Sequence, residues 1–185
     1  MTAEETRISG LMIVHPDVHP DNRGTFVKTY HEPTWRANGL QTDWAEEFHT
    51  VSHKGVLQGL HFQTPPMEQA KVVSCEYGSV FDAVLDIRRG SSTYGLAYCQ
   101  ILDASNPLLM YVPVGMAHGY LVLSEDTVVS YRTTSVFSTE NNTGIRWSSA
   151  GVAWPSVQPI ISDRDAGFPP LSYFNSPFVY RQEAS

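Results

Sequence analysis

Apolar and polar residues alternate with a period of two along most of the chain, which is the pattern of half-buried β-strands. The clearest run is Val80–Ile87, which lies between the turn residues Tyr77-Gly78 and Arg89-Gly90. Similar short runs occupy residues 9–14, 24–30, 56–62, 69–77, 96–102, 108–113, 117–123 and 127–134. Because clusters of Gly, Pro, Asn and Ser separate these runs, the sequence predicts many short strands in an antiparallel sandwich or barrel.

The helical pattern is confined to one segment. Residues 32–39 predict a short helix, with Pro33 near its start and Gly39 at its end. The chain has 185 residues, which is about one domain, and it has no repeat and no linker. We therefore expect residues 1–185 to form a single domain. The tail from about Ser162 carries prolines and aromatic residues, and we expect it to wrap over the barrel or over a partner subunit.

Composition narrows the classes of function. Hydrophobic residues make up 42% of the chain and charged residues 17%, which indicates a folded globular protein. The net charge of −7 argues against bulk electrostatic binding to nucleic acid or to an anionic membrane. The chain has no apolar run long enough to span a membrane, and its acidic start does not resemble a secretory signal. Because Cys75 and Cys99 form no C-x-x-C pair, we expect a cytoplasmic protein with reduced thiols.

His61 is the first candidate for chemistry. It lies in the segment 55–63, where strict alternation would place it on one apolar face with Leu57 and Gly59. A histidine on such a face points into a barrel or under a loop. It is then either a hydrogen-bonded core residue or a general base, since its pKa is close to neutral pH.

Three further residues have both a structural and a catalytic interpretation. Lys71 starts an apolar strand, so it is either exposed at the strand end or points inward to stabilise an enolate or a phosphate. Tyr131 either fills the barrel or exchanges a proton opposite the base. Asp165 lies in a polar turn, so it either caps that turn or orients a histidine and raises its basicity.

His118 ends a P-x-G-x-x-H pattern, Pro113–His118, which resembles the second motif of cupin barrels. Such a histidine binds a metal in some cupins. The first cupin motif requires an H-x-H pair, and this chain has His61-Phe62-Gln63 instead. Because a stable metal site needs three or four suitable ligands, we expect no metal. The chain also has no P-loop, G-x-G-x-x-G or G-x-S-x-G motif.

Taken together, these stretches resemble the dTDP-4-dehydrorhamnose 3,5-epimerase family. The matching segments are Asp21–Gly24, Gly55–Phe62, Gln69–Lys71, Gly78–Asp82, Asp86–Ser91, Tyr111–Gly119, Gly144–Trp147, Ala153–Pro155 and Ile161–Asp165. Each motif alone is weakly specific, but the ordered series extends from about residue 8 to 171. The resemblance implies an all-β fold, a cupin-like antiparallel jelly-roll barrel with a few short helices.

The resemblance also implies an enzyme that needs no cofactor and epimerises a dTDP-4-keto-6-deoxyhexose at C3, C5 or both. The C4 ketone makes the protons on those carbons acidic, because it delocalises the carbanion as an enolate. His61, oriented by Asp165, would abstract the proton, and Lys71 would stabilise the enolate oxygen. Tyr131 would return a proton from the opposite face and so invert the centre. All four positions carry the family's residue type.

The resemblance also assigns residues that bind the substrate. They are Arg23, Lys28, Glu46, Phe48, Gln58, His118, Phe137, Asn142 and Arg164. Arg23 and His118 are the family's usual residues. At Gln58 the family usually has an arginine that contacts the diphosphate of the substrate, so a fixed cation is missing there.

Other recognition positions also differ from the family. Glu46 and Phe48 stand where the family usually has Gln and Asn, and Lys28 stands where it has an acidic residue. Phe137 replaces a tyrosine that packs on the thymine, and Asn142 replaces a glutamate. The residues for proton transfer are therefore kept while those for recognition are changed.

Three interpretations remain open at this level. The first is a family member from a specialised deoxysugar pathway, for which epimerisation at C3 alone is one option. The second is a relative that acts on a different carbonyl compound, with or without a nucleotide. The third is a non-catalytic cupin that binds sugar or assembles a complex. The complete set of His61, Lys71, Tyr131 and Asp165 argues against the last, since a pure binder needs no acid and base. The resemblance further implies a homodimer with strand exchange near the N-terminus.

Overall fold

The computed structural model describes residues 1–156 and 158–181, which are mostly β-strands joined by short turns. The strands are β1 (Thr2–Glu5), β2 (Met12–His15), β3 (Asp17–Asp21), β4 (Gly24–Lys28), β5 (Glu46–Ser52), β6 (Leu57–Gln63), β7 (Lys71–Tyr77), β8 (Ser79–Asp86), β9 (Ala97–Asp103), β10 (Leu109–Val112), β11 (Met116–Val122), β12 (Thr127–Thr133) and β13 (Asn142–Gly144). The helices are α1 (Glu32–Ala37) and α2 (Asp163–Ala166), with 3₁₀ turns at Trp147–Ser149 and Leu171–Tyr173.

The strands form two antiparallel sheets and a separate hairpin. The six-stranded sheet has the order β1-β2-β10-β7-β12-β5, and the five-stranded sheet has the order β13-β6-β11-β8-β9. Strands β3 and β4 pair only with each other among the described residues. Except for β1–β2 and β8–β9, neighbours in the sheets are distant in sequence, as expected of a jelly roll, in which strands cross between two sheets. The predicted all-β, antiparallel barrel with a few short helices is therefore confirmed.

The core lies between the two sheets and also on their outer faces. In β11, Tyr120 and Val122 pack with β7 and β12 of the facing sheet, whereas Ala117 packs with Phe62 and Phe178 on the outside. Every residue of β11 is buried as a result. The segment after α2 covers the five-stranded sheet, and α1 covers the six-stranded sheet with the buried Trp35. Both sheets can therefore be apolar on both faces, although each strand still alternates between two environments.

All nine predicted strands are present, and the strands that the pattern missed are polar. β1 and β5 lie at the two edges of the six-stranded sheet, where one flank faces solvent and apolar residues are not required. β3 belongs to the exposed hairpin and carries a proline. β13 has only three residues, Asn142–Gly144. Alternation of apolar residues therefore found every central strand, and the four strands that it missed are all peripheral.

The helices are few and short. The helix predicted over 32–39 spans Glu32–Ala37, and Gly39 follows it with a φ of 71° that suits glycine. The segment that we expected to be a polar turn instead forms α2, where the hydroxyl of Ser162 accepts a hydrogen bond from the Asp165 amide. Within residues 1–156 and 158–181, no helix has the length and apolar character needed to cross a membrane.

Candidate active site

A cavity of about 230 Å³ opens between the two sheets. Its lining combines polar, charged and aromatic side chains from both walls. The lining residues are Glu46, Phe48, Thr50, Gln58, His61, Gln69, Lys71, His118, Gly119, Tyr131, Thr133, Phe137, Asn142 and Arg164. The cavity thus brings together most of the residues that the sequence singled out, although they are spread over more than 100 positions.

A β-bulge in β6 places His61 in the cavity. His118 of β11 pairs with His61, but Tyr120, two residues further, pairs with Gln58, so three steps on β6 match two on β11. Leu57 pairs with Leu121. Directly opposed residues point to the same side of a sheet, so Gln58 and His61 share the inner face and Leu57 lies on the outer face. The expectation that His61 shares a face with Leu57 is therefore wrong, because the bulge reverses the alternation.

His61 and Asp165 form a close pair. His61 Nε2 lies 2.8 Å from Asp165 Oδ2, which also accepts the amide hydrogen bond of Gly59 at 3.0 Å. Burial lowers the pKa of His61 below its usual 6.5, although the adjacent carboxylate acts in the opposite direction. Burial alone would raise the pKa of Asp165, but the hydrogen bonds from His61 and Gly59 and the charge of Arg164 lower it to about 2. The pair is therefore a neutral imidazole and an ionised carboxylate near pH 7.

Lys71 is buried on the inner face of the six-stranded sheet, where it pairs with Thr133 and with Val112. Burial lowers the pKa of its ammonium from 10.5 to about 8, and the carboxylate of Asp82 partly opposes that change. Of the two interpretations of Lys71, the exposed strand end is therefore wrong. The ammonium remains mostly protonated at neutral pH, so it can stabilise a negative charge that develops in the cavity.

Tyr131 stands on β12, in the sheet that faces His61. Burial raises the pKa of its phenol well above its ordinary value, and the nearby Tyr120 and Asp82 act in the same direction. The ring of Phe48 stacks on that of Tyr131, with centroids 4.9 Å apart and planes 12° apart. The phenol is thus held in one orientation and keeps its proton at neutral pH.

His118 lies beside this group and is paired with a buried carboxylate. Its Nε2 is 2.7 Å from Asp82 Oδ2, and its ring packs edge-on against Tyr131, with centroids 5.9 Å apart. Asp82 Oδ1 is buried without a hydrogen-bond partner in the described part of the chain. Across residues 1–156 and 158–181, no group of three or more His, Cys, Asp or Glu side chains is arranged to hold a metal ion.

The mouth of the cavity is built from polar contacts around Phe137. Glu46 Oε2 accepts a hydrogen bond from the Phe137 amide at 2.9 Å, and the Phe137 ring itself is more than half exposed. Gln58 lies away from this end, since its Nε2 donates at 3.1 Å to Ser52 Oγ, at the opposite end of β5 from Glu46. Asn142 Oδ1 is buried and has no partner among the residues described. This end of the cavity therefore offers an exposed aromatic face and an unpaired acceptor.

Two of the predicted substrate-binding residues do not line this cavity. Arg23 and Lys28 belong to the β3–β4 hairpin, and the exposed guanidinium of Arg23 binds Asp21 at 2.6 Å. Asp165 is not in the lining either, because it holds His61 from behind. Arg164 lies at the rim, with its Nη2 3.0 Å from His61 Nε2.

Sequence reasoning missed several residues of the site. Asp82 is the main one, since it binds His118 and its charge acts on Lys71 and Tyr131. A usable indication was present, because Asp82 stands between apolar residues in Val80–Ile87 and a buried carboxylate needs a specific partner. Thr50, Gln69 and Thr133 also line the cavity, and their uncharged polar side chains gave no comparable indication.

The family model for dTDP-4-dehydrorhamnose 3,5-epimerase matches residues 5–173, nearly the whole chain. The chain belongs to this family. A dTDP-4-dehydrorhamnose 3,5-epimerase of Shigella flexneri is 37% identical over 168 residues, which cover 89% of this chain and 93% of that protein. The resemblance inferred from the ordered motifs is therefore confirmed.

Solved structures of the epimerase family agree with the fold. One is an epimerase from Legionella pneumophila Philadelphia 1 in complex with dTDP-4-keto-L-rhamnose, with a TM-score of 0.91, 31% identity and coverage of 99% of both chains. Another is a 3'-monoepimerase from Streptomyces bikiniensis in complex with dTDP-quinovose. It has a TM-score of 0.85 and 30% identity, and the match covers 90% of this chain and 86% of that one.

Proposed function

We propose that this protein is an epimerase of a dTDP-4-keto-6-deoxyhexose that works by reversible proton transfer at C3, C5 or both. Family membership supports the reaction class, since the family and the relatives named above are epimerases of such sugars. The observation that carries the proposal is the meeting of the His61–Asp165 pair, Lys71 and Tyr131 at one cavity. These groups are a base, a cation and an acid, which are the parts that enolate chemistry requires.

In the proposed first step, the neutral imidazole of His61 takes the proton from the carbon next to the C4 ketone. Because Nε2 faces the ionised Asp165, we assign the neutral tautomer that carries its hydrogen on Nε2. Nδ1 is then the basic atom. The electron pair of the broken C–H bond moves to the ketone oxygen as an enolate. The ammonium of Lys71 then stabilises that oxygen, while Asp165 stabilises the imidazolium.

In the second step, Tyr131 gives its proton to the same carbon from the other side. His61 comes from β6 of one sheet and Tyr131 from β12 of the facing sheet, so base and acid stand on opposite walls. A proton that leaves toward one wall and returns from the other inverts the centre. Phe48, stacked on the Tyr131 ring, would keep the phenol in place for this transfer.

Recognition of the substrate is assigned to the other side chains that line the cavity. The exposed ring of Phe137 would pack on the thymine, and Glu46, Gln58, His118, Asn142 and Arg164 would supply polar contacts. Arg23 and Lys28 lie on the β3–β4 hairpin, so in this proposal they act in the cavity of the second subunit of a homodimer. We also propose that the protein works in the cytoplasm, where nucleotide-linked sugars are made.

A narrower reaction, epimerisation at C3 alone, is the second candidate. A structural relative from Streptomyces bikiniensis is named a 3'-monoepimerase, and the recognition residues here depart from the usual family pattern. The changed positions Glu46, Phe48 and Gln58 all line the cavity, so they can alter how the sugar lies over His61. Epimerisation at C3 alone and epimerisation at both C3 and C5 would use the same residues for proton transfer.

Solvent deuterium exchange followed by NMR, with dTDP-4-keto-6-deoxyglucose as the probe, tests the proposal. It reports which carbon loses its proton even where the product equilibrium is unfavourable. We expect His61→Asn to abolish exchange at C3 and C5, and Asp165→Asn to reduce it less because the imidazole remains. His53→Asn is the matched control, since His53 is an exposed histidine that contacts Asp126 outside the cavity.

The outcomes separate the candidates. Exchange at both carbons supports the 3,5-epimerase, and exchange at C3 alone supports the monoepimerase. Near wild-type exchange in folded His61→Asn would overturn the assignment of the base. A wild-type protein that neither exchanges protons nor binds dTDP would overturn the sugar-nucleotide function and favour a different carbonyl substrate.

A further inference from the structure

Arg164 contacts the His61–Asp165 pair where the cavity meets a second groove. Its Nη2 is 3.0 Å from His61 Nε2, and its Nε is 3.3 Å from Asp165 Oδ1. The groove and the cavity share Gln58, His61 and Arg164 in their linings, so the arginine borders both spaces. Its side chain is 53% exposed, whereas that of Asp165 is 5% exposed. Arg164 is therefore the member of this group with room to move.

The contacts at His61 Nε2 cannot all be hydrogen bonds at once. Asp165 is ionised, so Nε2 must carry a hydrogen to donate to Oδ2 at 2.8 Å. A guanidinium has only donors, so Arg164 would need a lone pair on that same nitrogen. Because Asp165 already holds Nε2–H, the acceptor left to Arg164 here is Asp165 Oδ1, at the long distance of 3.3 Å. Arg164 Nη2 and His61 Nε2 are therefore close, but both are donors and no hydrogen bond joins them.

The position of Arg164 also opposes the proposed reaction. His61 becomes an imidazolium when it takes a proton, and a neighbouring cation disfavours that form. The charges that act on His61 are Asp165, which favours the imidazolium, and Arg164 and Lys71, which disfavour it. Lys71 is buried and fixed at the enolate position. Displacement of Arg164 would therefore make His61 a stronger base without disturbing the rest of the site.

A diphosphate supplies a reason for that displacement. Guanidinium and phosphate form bidentate, charge-assisted hydrogen bonds, which are stronger than the long contact to Asp165. Of the other charged groups in the described lining, Glu46 is an anion that accepts from the Phe137 amide, and Lys71 is a buried cation that the proposed mechanism gives to the enolate oxygen. Arg164 is thus the half-exposed cation that an incoming diphosphate would meet at this rim.

We propose that Arg164 is a positioning residue with two positions. With the cavity empty it lies against His61 and Asp165, and when substrate binds it turns to the diphosphate and frees the base. This inference rests on the proposed function, because it requires a nucleotide-linked sugar. His61 then becomes fully basic only when the diphosphate is in place. The diphosphate, which is remote from the reacting carbon, thus prepares the site for proton abstraction. By linkage, protonation of His61 and diphosphate binding favour each other.

NMR titration of labelled histidine side chains, with and without saturating dTDP, measures this coupling. His61→Asn assigns the His61 resonance among the seven histidines. We expect dTDP to raise the pKa of His61 in the wild type by about one unit, the lower end of the effect of a nearby charge because Arg164 is half exposed. In Arg164→Gln that pKa should already be raised without ligand, and dTDP should then add little. Arg164→Lys should retain part of the response.

The same variants give a kinetic readout. The acid limb of kcat/KM should move to higher pH in Arg164→Gln, and KM for the nucleotide sugar should rise. Arg36→Gln removes an exposed arginine that pairs with Glu32 on α1, outside the cavity lining, and should behave as the wild type. A purely structural role for Arg164 would leave the pKa of His61 unchanged.

Calorimetry run in parallel separates the two proposals. If dTDP binds but raises the pKa of His61 equally in the wild type and Arg164→Gln, the ligand's own charge is the cause and the two-position proposal is overturned. If dTDP binds and the pKa does not change at all, that proposal is overturned while the epimerase function stands. If dTDP does not bind to the wild type, the proposed function is overturned, and so is the role of Arg164, which depends on it.

Discussion

Gln58 and His61 point into the same cavity although three residue steps separate them, because a bulge at Gly59 and Leu60 reverses the alternation of β6. Gly59 allows this bulge to form against Gly119 of β11. A Cβ on Gly59 would stand 2.5 Å from the Cα of Gly119 and 2.8 Å from the carbonyl oxygen of His118. Both neighbours are backbone atoms, so they cannot move aside as a side chain would. The position of the proposed base thus depends on two facing glycines.

We expect Gly59→Ala to destabilise the fold and to misplace His61. The backbone collision adds to the strain of a φ of 122°, so the free energy of unfolding should fall by at least ~3 kcal/mol. A displacement of His61 by about 1 Å can reduce catalysis roughly 100-fold. Urea unfolding and the deuterium-exchange assay measure the two effects.

Gly151→Ala is the matched control for this change. Gly151 also has a positive φ, 67°, but a Cβ there would meet no atom within 4 Å. Gly151→Ala should therefore lower the free energy of unfolding only by the local backbone strain, about 1–2 kcal/mol. Deuterium exchange should stay near the wild-type rate. Equal losses of stability and activity in the two variants would show that the contact with Gly119 is unimportant.

The pH dependence of kcat/KM should be bell-shaped. His61 must be neutral to act as a base, and its pKa lies below 6.5, so activity should rise with pH through that region and be complete near neutrality. Lys71 must be protonated, and its pKa is about 8, so activity should fall as pH rises through 8. The phenol of Tyr131 keeps its proton to higher pH and sets neither limb. An alkaline limb above pH 10 would contradict the role given to Lys71.

Activity should survive removal of metal ions. The positive charge that an enolate needs is supplied in the proposed mechanism by Lys71, and His118 Nε2 is engaged with Asp82. Exhaustive chelation and dialysis, checked by elemental analysis, should leave exchange at its original rate. Stoichiometric zinc, iron or nickel whose removal abolishes exchange would contradict this expectation.

The sequence predicted the fold where the packing is regular. Central strands such as Ser79–Asp86 alternate between an inner and an outer face, so their apolar residues are visible as a pattern. Edge strands such as β5 are not required to be apolar, and the sequence did not predict them as strands. The ordered motifs then identified the family, which the period of the strands alone could not do.

The sequence predicted which residues belong to the candidate site but not how they are arranged. His61, Lys71 and Tyr131 were named from their residue types and motifs, and all three line one cavity. Strict alternation gave the wrong face for His61, since a bulge depends on how the two strands pair and not on the pattern of one strand. Asp82 was missed because its importance comes from the residues around it, which are distant in sequence.

Gln58 lines the same cavity as His61 and donates a hydrogen bond to Ser52. The resemblance to the family implies an arginine at this position that contacts the diphosphate of the substrate. If the substrate is a dTDP-sugar, Gln58→Arg should add a charge-assisted contact worth ~1.5–3 kcal/mol. Binding of dTDP should tighten roughly tenfold to hundredfold and KM should fall, with little change in the chemical step.

Calorimetric titration of dTDP into the wild type and Gln58→Arg measures this change. Gln41→Arg, at an exposed position outside the cavity lining, controls for the added net charge and should leave binding unchanged. If the enzyme acts on another carbonyl compound, the wild type should scarcely bind dTDP, and Gln58→Arg should impair its native reaction. Micromolar binding by the wild type, tightened by the arginine at 58 but not by that at 41, is the result expected of a dTDP-sugar epimerase. If neither the wild type nor Gln58→Arg binds dTDP, the substrate is a different carbonyl compound, because the cavity then holds no nucleotide even with an added cation.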